Sequence, residues 1–383
     1  MKSTVKILHL IPAVEENKGV GGAETLLLSL LKKIDRRAFY MMVAYPPDAP
    51  LADEFKKTGA QIVPLSIKSK LDLPALLGTV RLIRKERVSL VHSHYPLHDY
   101  LGGIAAALAG VPLVFTRHLS ITEFPIHQYK IWLYRGWDMM TSVKSAKKIV
   151  AASRAIAQDL IATEQAAAAK IEIIYAGLDI ETYARGVQPG RIRREFAIDP
   201  QAPLIGIVGR INAQKAHQFF LQAAREVIMA VPGARFLIVG DGPLKSRQEA
   251  LARDLGIAGH TVFCGYRADI PNIMADIDIS VLSSVSEALA VVNLEAMLMG
   301  KPVACFDVGG ISELVENGRT GILVPPRDAH ALAQAIIYLA QNPESARKMG
   351  ALGRQRVQEY FTLDIMVRKH EALYRSLCNE QAV

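Results

Sequence analysis

Residues 283–310 read SSVSEALAVVNLEAMLMGKPVACFDVGG. The apolar run Ile279–Leu282 ahead of them ends in small polar residues, as a buried strand does where it runs into a loop. Residues 293–299 predict a short helix, stopped by Gly300 with Pro302 just beyond. Residues 302–306 predict the next strand, closed by Gly309 and Gly310. Strand, loop, helix, strand is the repeating unit of a parallel α/β sheet. Glu287 falls on the loop and Glu295 in the first turn of the helix. Ligands of such sheets sit beyond the carboxyl ends of the strands, so both carboxylates are placed to bind hydroxyl groups. The helix start beside them offers free N–H groups to an anion. Hydroxyls together with an anion point to a sugar nucleotide.

Working outward, the second half of the chain opens with a strand at 204–208, followed by Gly209-Arg210-Ile211-Asn212-Ala213-Gln214-Lys215 and a helix from about His217. Two cations and a helix start converging on one strand end can neutralise a diphosphate, which leaves a metal little to do. Val239-Gly240-Asp241-Gly242 and Phe263-Cys264-Gly265-Tyr266-Arg267 end the next two strands. Asp276-Ile277-Asp278 has the look of a metal-binding pair, but it precedes a strand instead of following one. It reads as a decoy, and no metal is expected. Asp328 is the predicted cap of a helix that runs to Leu339.

The first half alternates strands at 5–10, 40–44, 61–64, 89–93, 112–116, 148–152 and 170–174 with helices, the rhythm of a doubly wound sheet. Gly19-Val20-Gly21-Gly22-Ala23-Glu24 is a glycine-rich turn at a helix start, a phosphate cradle or an ordinary connector. His92, His94 and His98 crowd one strand end, and Arg117-His118 follow the next. Two histidines at i and i+2 share a strand face without closing a metal cage, and no cysteine or carboxylate pair completes one. Both tryptophans lie in 124–140, a segment that suits either a membrane interface or the edge of the sheet.

The resemblance is to the family 4 retaining glycosyltransferases, whose GT-B fold sets two Rossmann-like doubly wound parallel-sheet domains across a deep cleft. Glu287 and Glu295 resemble the family's Glu-x(7)-Glu signature, with Leu294-Glu295-Ala296-Met297 and Gly300-Lys301-Pro302-Val303 in a common form of its second half. Ala288 and Ala290 depart from it, since many relatives carry glycine at the first place and Gly, Ser or Pro at the second. The resemblance implies that Glu295 holds the ribose, Glu287 the donor sugar, and Arg210 and Lys215 the diphosphate. It also implies that Gly21, Gly22, Gly240, Tyr266, Arg267, Val291 and Val292 line the donor site and that His118 touches donor or acceptor. The reaction would be a front-face substitution without metal or cofactor.

The 383 residues suffice for two such domains, and 50% of them are hydrophobic. Three cysteines with no shared spacing suit a reducing cytoplasm. No secretory signal or membrane span is expected. Residues 1–185 hold 24 Lys and Arg against 17 Asp and Glu, whereas the remainder holds 21 against 20. The basic half suits a membrane surface or an anionic lipid-linked acceptor, or is simply a solvated face; no nucleic-acid motif accompanies it. Arg81, Arg84 and Lys85 are its candidate lipid-facing residues.

The expected domains are an acceptor-binding one at 1–185, a linker at 186–203 and a donor-binding one at 204–362, with a final helix within 363–383 returning to the first. The expected partners are a UDP- or GDP-linked sugar and a glycan or lipid-linked acceptor at the inner face of the membrane, with no nucleic acid. A catalytically silent sugar-nucleotide binder and a sugar-nucleotide epimerase are the competing readings.

Overall fold

The computed structural model describes residues 4–13, 21–119 and 142–379. The chain divides into two units, Met1–Gly177 with Leu363–Val383, and Leu178–Thr362.

Among the described residues, the first unit contains seven strands: β1 (Val5–Leu10), β2 (Phe39–Ala44), β3 (Gln61–Val63), β4 (Leu90–Ser93), β5 (Leu113–Arg117), β6 (Lys148–Ala151) and β7 (Ile171–Ile173). They run parallel in the order β3-β2-β1-β4-β5-β6-β7. The second unit has six: β8 (Leu204–Val208), β9 (Arg235–Val239), β10 (Thr261–Gly265), β11 (Ile279–Leu282), β12 (Val303–Phe306) and β13 (Gly321–Val324). Their order is β10-β9-β8-β11-β12-β13, again parallel. Every residue of β4, β5, β11 and β12 is buried, as a sheet covered by helices on both faces requires.

Both sheets reverse their winding between two central strands, β1 and β4 in the first unit and β8 and β11 in the second. A crevice opens at the carboxyl ends of strands at such a switch point. The segment carrying Arg210 and Lys215 follows β8, and the segment carrying Glu287 follows β11. The topology therefore delivers the two motifs to neighbouring strand ends.

Helix packing follows residue spacing. His217–Ala230 buries Phe220, Leu221, Ala224 and Val227 against Phe236 and Ile238 of β9. Each large apolar side chain so buried contributes about 1.5–3 kcal/mol. Asp328 caps its helix, accepting from Ala331 N at 2.8 Å. The helix Leu363–Asn379 belongs to the first unit, where Leu363, Met366, Val367, Tyr374 and Leu377 on one face enter the core around β1 and β2.

Two boundaries differ from expectation. Residues 178–203, expected to end the first domain and form a linker, fold onto the second unit. The Asp276 carboxylate fastens them, accepting from Gly190 N, from Ile192 N at 2.7 Å and from Arg193 N at 3.2 Å. Asn272 Oδ1 accepts from Gln188 N at 2.8 Å. The helix expected at 293–299 spans Val291–Leu298, so Glu295 sits beyond its first turn. The cause is Ala290, which takes up a left-handed conformation (φ +62°) and starts the helix early.

Candidate functional site

In the second unit, the structure brings Lys215 and Glu287 together. Lys215 Nζ forms an ion pair with Glu287 Oε1, and both are largely shielded from solvent. Each partner is held by its backbone. Asn212 Oδ1 accepts from Lys215 N at 3.0 Å, and Ser283 Oγ donates to Lys215 O at 3.0 Å. Val285 N donates to Gln214 O at 2.9 Å, stitching the two loops together. Gly309 lies so close that a Cβ there would stand 1.8 Å from Glu287 O, and its φ of +53° also favours glycine. Gly310 N donates to Glu287 O at 3.3 Å.

Arg210, on the same loop, is exposed and makes no ion pair among the described residues. That loop is pinned by Gly240, where a Cβ would stand 2.0 Å from Gly209 O. Ile211 N donates to Asp241 O at 2.9 Å. Val291 and Val292 open the helix after the Glu287 loop. Glu295 is half-buried, and burial pushes its carboxyl up to about 7, against the opposing pull of the Tyr183 hydroxyl beside it.

Other expectations find different partners. Arg267, assigned to the donor, is held by two carboxylates: Glu195 accepts from Nη2 at 2.9 Å and Asp269 from Nε at 2.8 Å. It clasps the helix Arg191–Glu195 to the end of β10. Its neighbour Tyr266 is exposed. Asp276 caps the 190–193 turn, and Asp278 receives Arg193 Nη2 at 2.7 Å and Leu204 N at 2.8 Å. Both carboxylates therefore have architectural partners.

In the first unit, Gly21 caps the helix Gly22–Lys33. A Cβ on Gly21 would meet Glu24 Oε2 at 2.4 Å, whereas one on Gly22 would meet nothing within 4 Å. Gly19, Val20 and residues 124–140 lie outside the described residues. The histidine cluster is larger than the sequence showed, because the β1–β4 register sets His9 opposite His92. His9 Nδ1 and His94 Nε2 share a hydrogen bond of 2.9 Å. His92 is engaged at both nitrogens, by Tyr374 Oη at 2.7 Å and Thr116 Oγ1 at 2.8 Å. His94, Thr116, His118 and His370 border one small cavity with Ala23 and Met366. Burial lowers His118 and His370 to about 4 and His9 to about 3, so all three are neutral at pH 7.

Sequence reading missed the buried polar atoms that flank Lys215 and Glu287. Both ring nitrogens of His217, Oγ of Ser284 and Ser286, and Oδ1 of Asn293 are buried without a hydrogen-bond partner. Burial, with the Lys215 charge adding to it, lowers His217 to about 4. Buried polar atoms are usually paired in proteins, with ordered water among the partners, and these lie on the segments around Lys215 and Glu287. The only trace in the sequence was the run of serines and His217 itself.

Comparison with known proteins agrees with this geometry. The family model "Glycosyltransferase Family 4" matches residues 20–182, and "Glycosyl transferases group 1" matches residues 202–342. The UDP-Gal:alpha-D-GlcNAc-diphosphoundecaprenol alpha-1,3-galactosyltransferase of Escherichia coli is 26% identical over 355 residues, covering 89% of this chain and 90% of that protein. The D-inositol 3-phosphate glycosyltransferase of Mycobacteroides abscessus is 29% identical over 360 residues, covering 86% and 79%. The crystal structure of Anabaena HepE in complex with UDP superposes with a TM-score of 0.85 at 23% identity, covering 97% of this chain and 100% of that one. The two family matches divide the chain between the two sheets, and the protein belongs to the family 4 glycosyltransferases, transferases of GT-B fold that use nucleotide sugars.

Proposed function

We propose that the protein is a metal-independent, retaining glycosyltransferase that moves a sugar from a UDP- or GDP-linked donor to a glycan or lipid-linked acceptor. Cell-surface polysaccharide or glycolipid synthesis at the inner face of the cytoplasmic membrane is the setting we favour. The observation that carries the reading is the meeting of Lys215 and Glu287 at the β8–β11 switch point, with Arg210 on the same loop. Arg210 and Lys215 would take the diphosphate, Glu287 the donor-sugar hydroxyls and Glu295 the ribose. In the reaction the bond from the anomeric carbon to the diphosphate oxygen breaks. The acceptor oxygen bonds to the same face, and its proton passes to the departing phosphate. These two cations would offset the charge that develops on that phosphate, the role a divalent ion would otherwise fill.

The lipid-linked part of the reading draws support from the name of the E. coli relative, whose substrate is a diphosphoundecaprenol. A peripheral membrane contact draws support from the helix Leu73–Glu86 and the turn before it. Leu71, Leu73 and Leu77 are 85%, 58% and 42% exposed, and Arg81, Arg84 and Lys85 are exposed on the same helix. No described helix is long and apolar enough to cross a membrane.

The test is a donor screen followed by product analysis. Activity should survive EDTA, and proton NMR of the product should show the donor's anomeric configuration kept. Inversion would sink the mechanism. Loss in EDTA restored by Mg²⁺ or Mn²⁺ would overturn the metal-independent reading.

A further inference from the structure

The group expected to take the diphosphate already has a partner. Lys215 Nζ is paired with Glu287, a carboxylate that is only 7% exposed. The backbones that carry the two side chains are fastened by Asn212, Ser283 and Gly310. The stem of Lys215 also lies beside Gly209, where a Cβ would meet Lys215 Cε at 3.5 Å. A phosphate that recruits Lys215 therefore competes with Glu287 for it, and as it wins it leaves a buried carboxylate behind. Such a charge is costly unless something donates to it. An ionised carboxylate only accepts, and sugar hydroxyls are donors.

We propose that the Lys215–Glu287 pair is an internal competitor of the nucleotide that lets the site tell donor from product. The idea rests on the reading of these two residues as the diphosphate and sugar ligands. A nucleoside diphosphate breaks the pair and strands Glu287. A nucleotide sugar breaks it and supplies new partners to both halves, the phosphate to Lys215 and the hydroxyls to Glu287. The donor is thereby favoured over the spent nucleotide, and transfer of the sugar itself weakens retention of the product. The same pair keeps the empty site electrically balanced.

The experiment is calorimetry with UDP and UDP-glucose, and in parallel GDP and GDP-mannose, on the whole protein. Wild type should bind the nucleotide sugar of the preferred base more tightly than the matching diphosphate. Glu287→Gln should tighten the diphosphate by about tenfold, the scale of one hydrogen bond to a charged group. It should also erase most of the preference for the sugar-bearing ligand. In a Lys215→Met background the same change should give no gain, because nothing is left to compete for. A gain that persists there would show Glu287 merely repelling the diphosphate and would overturn the proposal. So would an unchanged or weakened diphosphate affinity in a Glu287→Gln protein whose thermal unfolding matches wild type. Should Glu287→Gln fail to fold, Glu287→Asp serves, since its shorter carboxylate retreats from Lys215 and should tighten the diphosphate in the same sense. Binding of none of the four ligands to wild type would instead bring down the transferase site itself.

Discussion

Gly240 is packed against Gly209 so closely that a Cβ on it would stand 2.0 Å from the Gly209 carbonyl oxygen. Gly240 also has φ +139°, a region that side chains avoid. Gly240→Ala should cost about 1–3 kcal/mol of stability, the scale of local strain or overpacking. It should also weaken nucleotide binding, because the displaced strand end carries Arg210. Thermal unfolding and calorimetry with UDP or GDP check both halves. A variant of wild-type stability and affinity would show that the close approach is dispensable.

The first unit depends on a buried charge cluster. Arg117 Nη1 donates to Asp99 Oδ2 at 3.1 Å and Nη2 to Glu164 Oε2 at 2.7 Å, with Ser93 Oγ donating to Asp99 Oδ1 at 2.7 Å. Arg117→Met takes a cation from two buried carboxylates and should cost about 3–5 kcal/mol. Denaturant unfolding measures it, and a loss below 1 kcal/mol would mean the carboxylates find another partner or protons.

Acid should destabilise the protein through its buried histidines, with Glu295, raised to about 7, offsetting only one of them. In the folded state His9 is lowered to about 3 and His98, His118 and His370 to about 4, each mainly by burial, from an ordinary value of 6.5. The unfolded chain therefore takes up protons first as the pH falls through 6.5. Stability is full above that pH and declines toward pH 4, by about 1.4 kcal/mol per pH unit for each such histidine. Urea unfolding between pH 8 and pH 5 should show a flat region followed by a steep fall. A flat profile throughout would mean that these imidazoles are solvated.

Liposome co-sedimentation tests the exposed leucines. Binding to vesicles of mixed phosphatidylcholine and phosphatidylglycerol should fade with added salt. Arg84→Glu with Lys85→Glu should weaken it by about 1 kcal/mol or more per charge, and Leu71→Asp with Leu73→Asp should abolish it. Retained binding in both pairs would move the contact elsewhere.

Much of the fold was legible because the strands of buried parallel sheets are unbroken apolar runs, and nearly all were located to within a residue or two. Spacing also marked Lys215 and Glu287, which the topology then joined. What escaped depended on distant contacts. Nothing local tells that Arg267 will meet Glu195, or that His9 will lie beside His92. The linker was misjudged because glycines and prolines were read as slack, whereas the turn they build is gripped by Asp276. Ala290 hid the start of its helix, since alanine rarely takes the left-handed conformation it has here.

The division of the chain sets the order in which the protein can mature during synthesis. The second unit is one continuous stretch, Leu178–Thr362, closed on itself where Leu178 N donates to Phe361 O at 3.0 Å. It can complete its core as soon as that stretch has left the ribosome. The first unit, although made earlier, lacks Tyr374 and its neighbours until the helix Leu363–Asn379 emerges. Until then His92 has no Tyr374 hydroxyl to meet, and the apolar surface around β1 and β2 stays open. The half that is translated first is thus the half that finishes last, and during that interval it is the one whose core lies open.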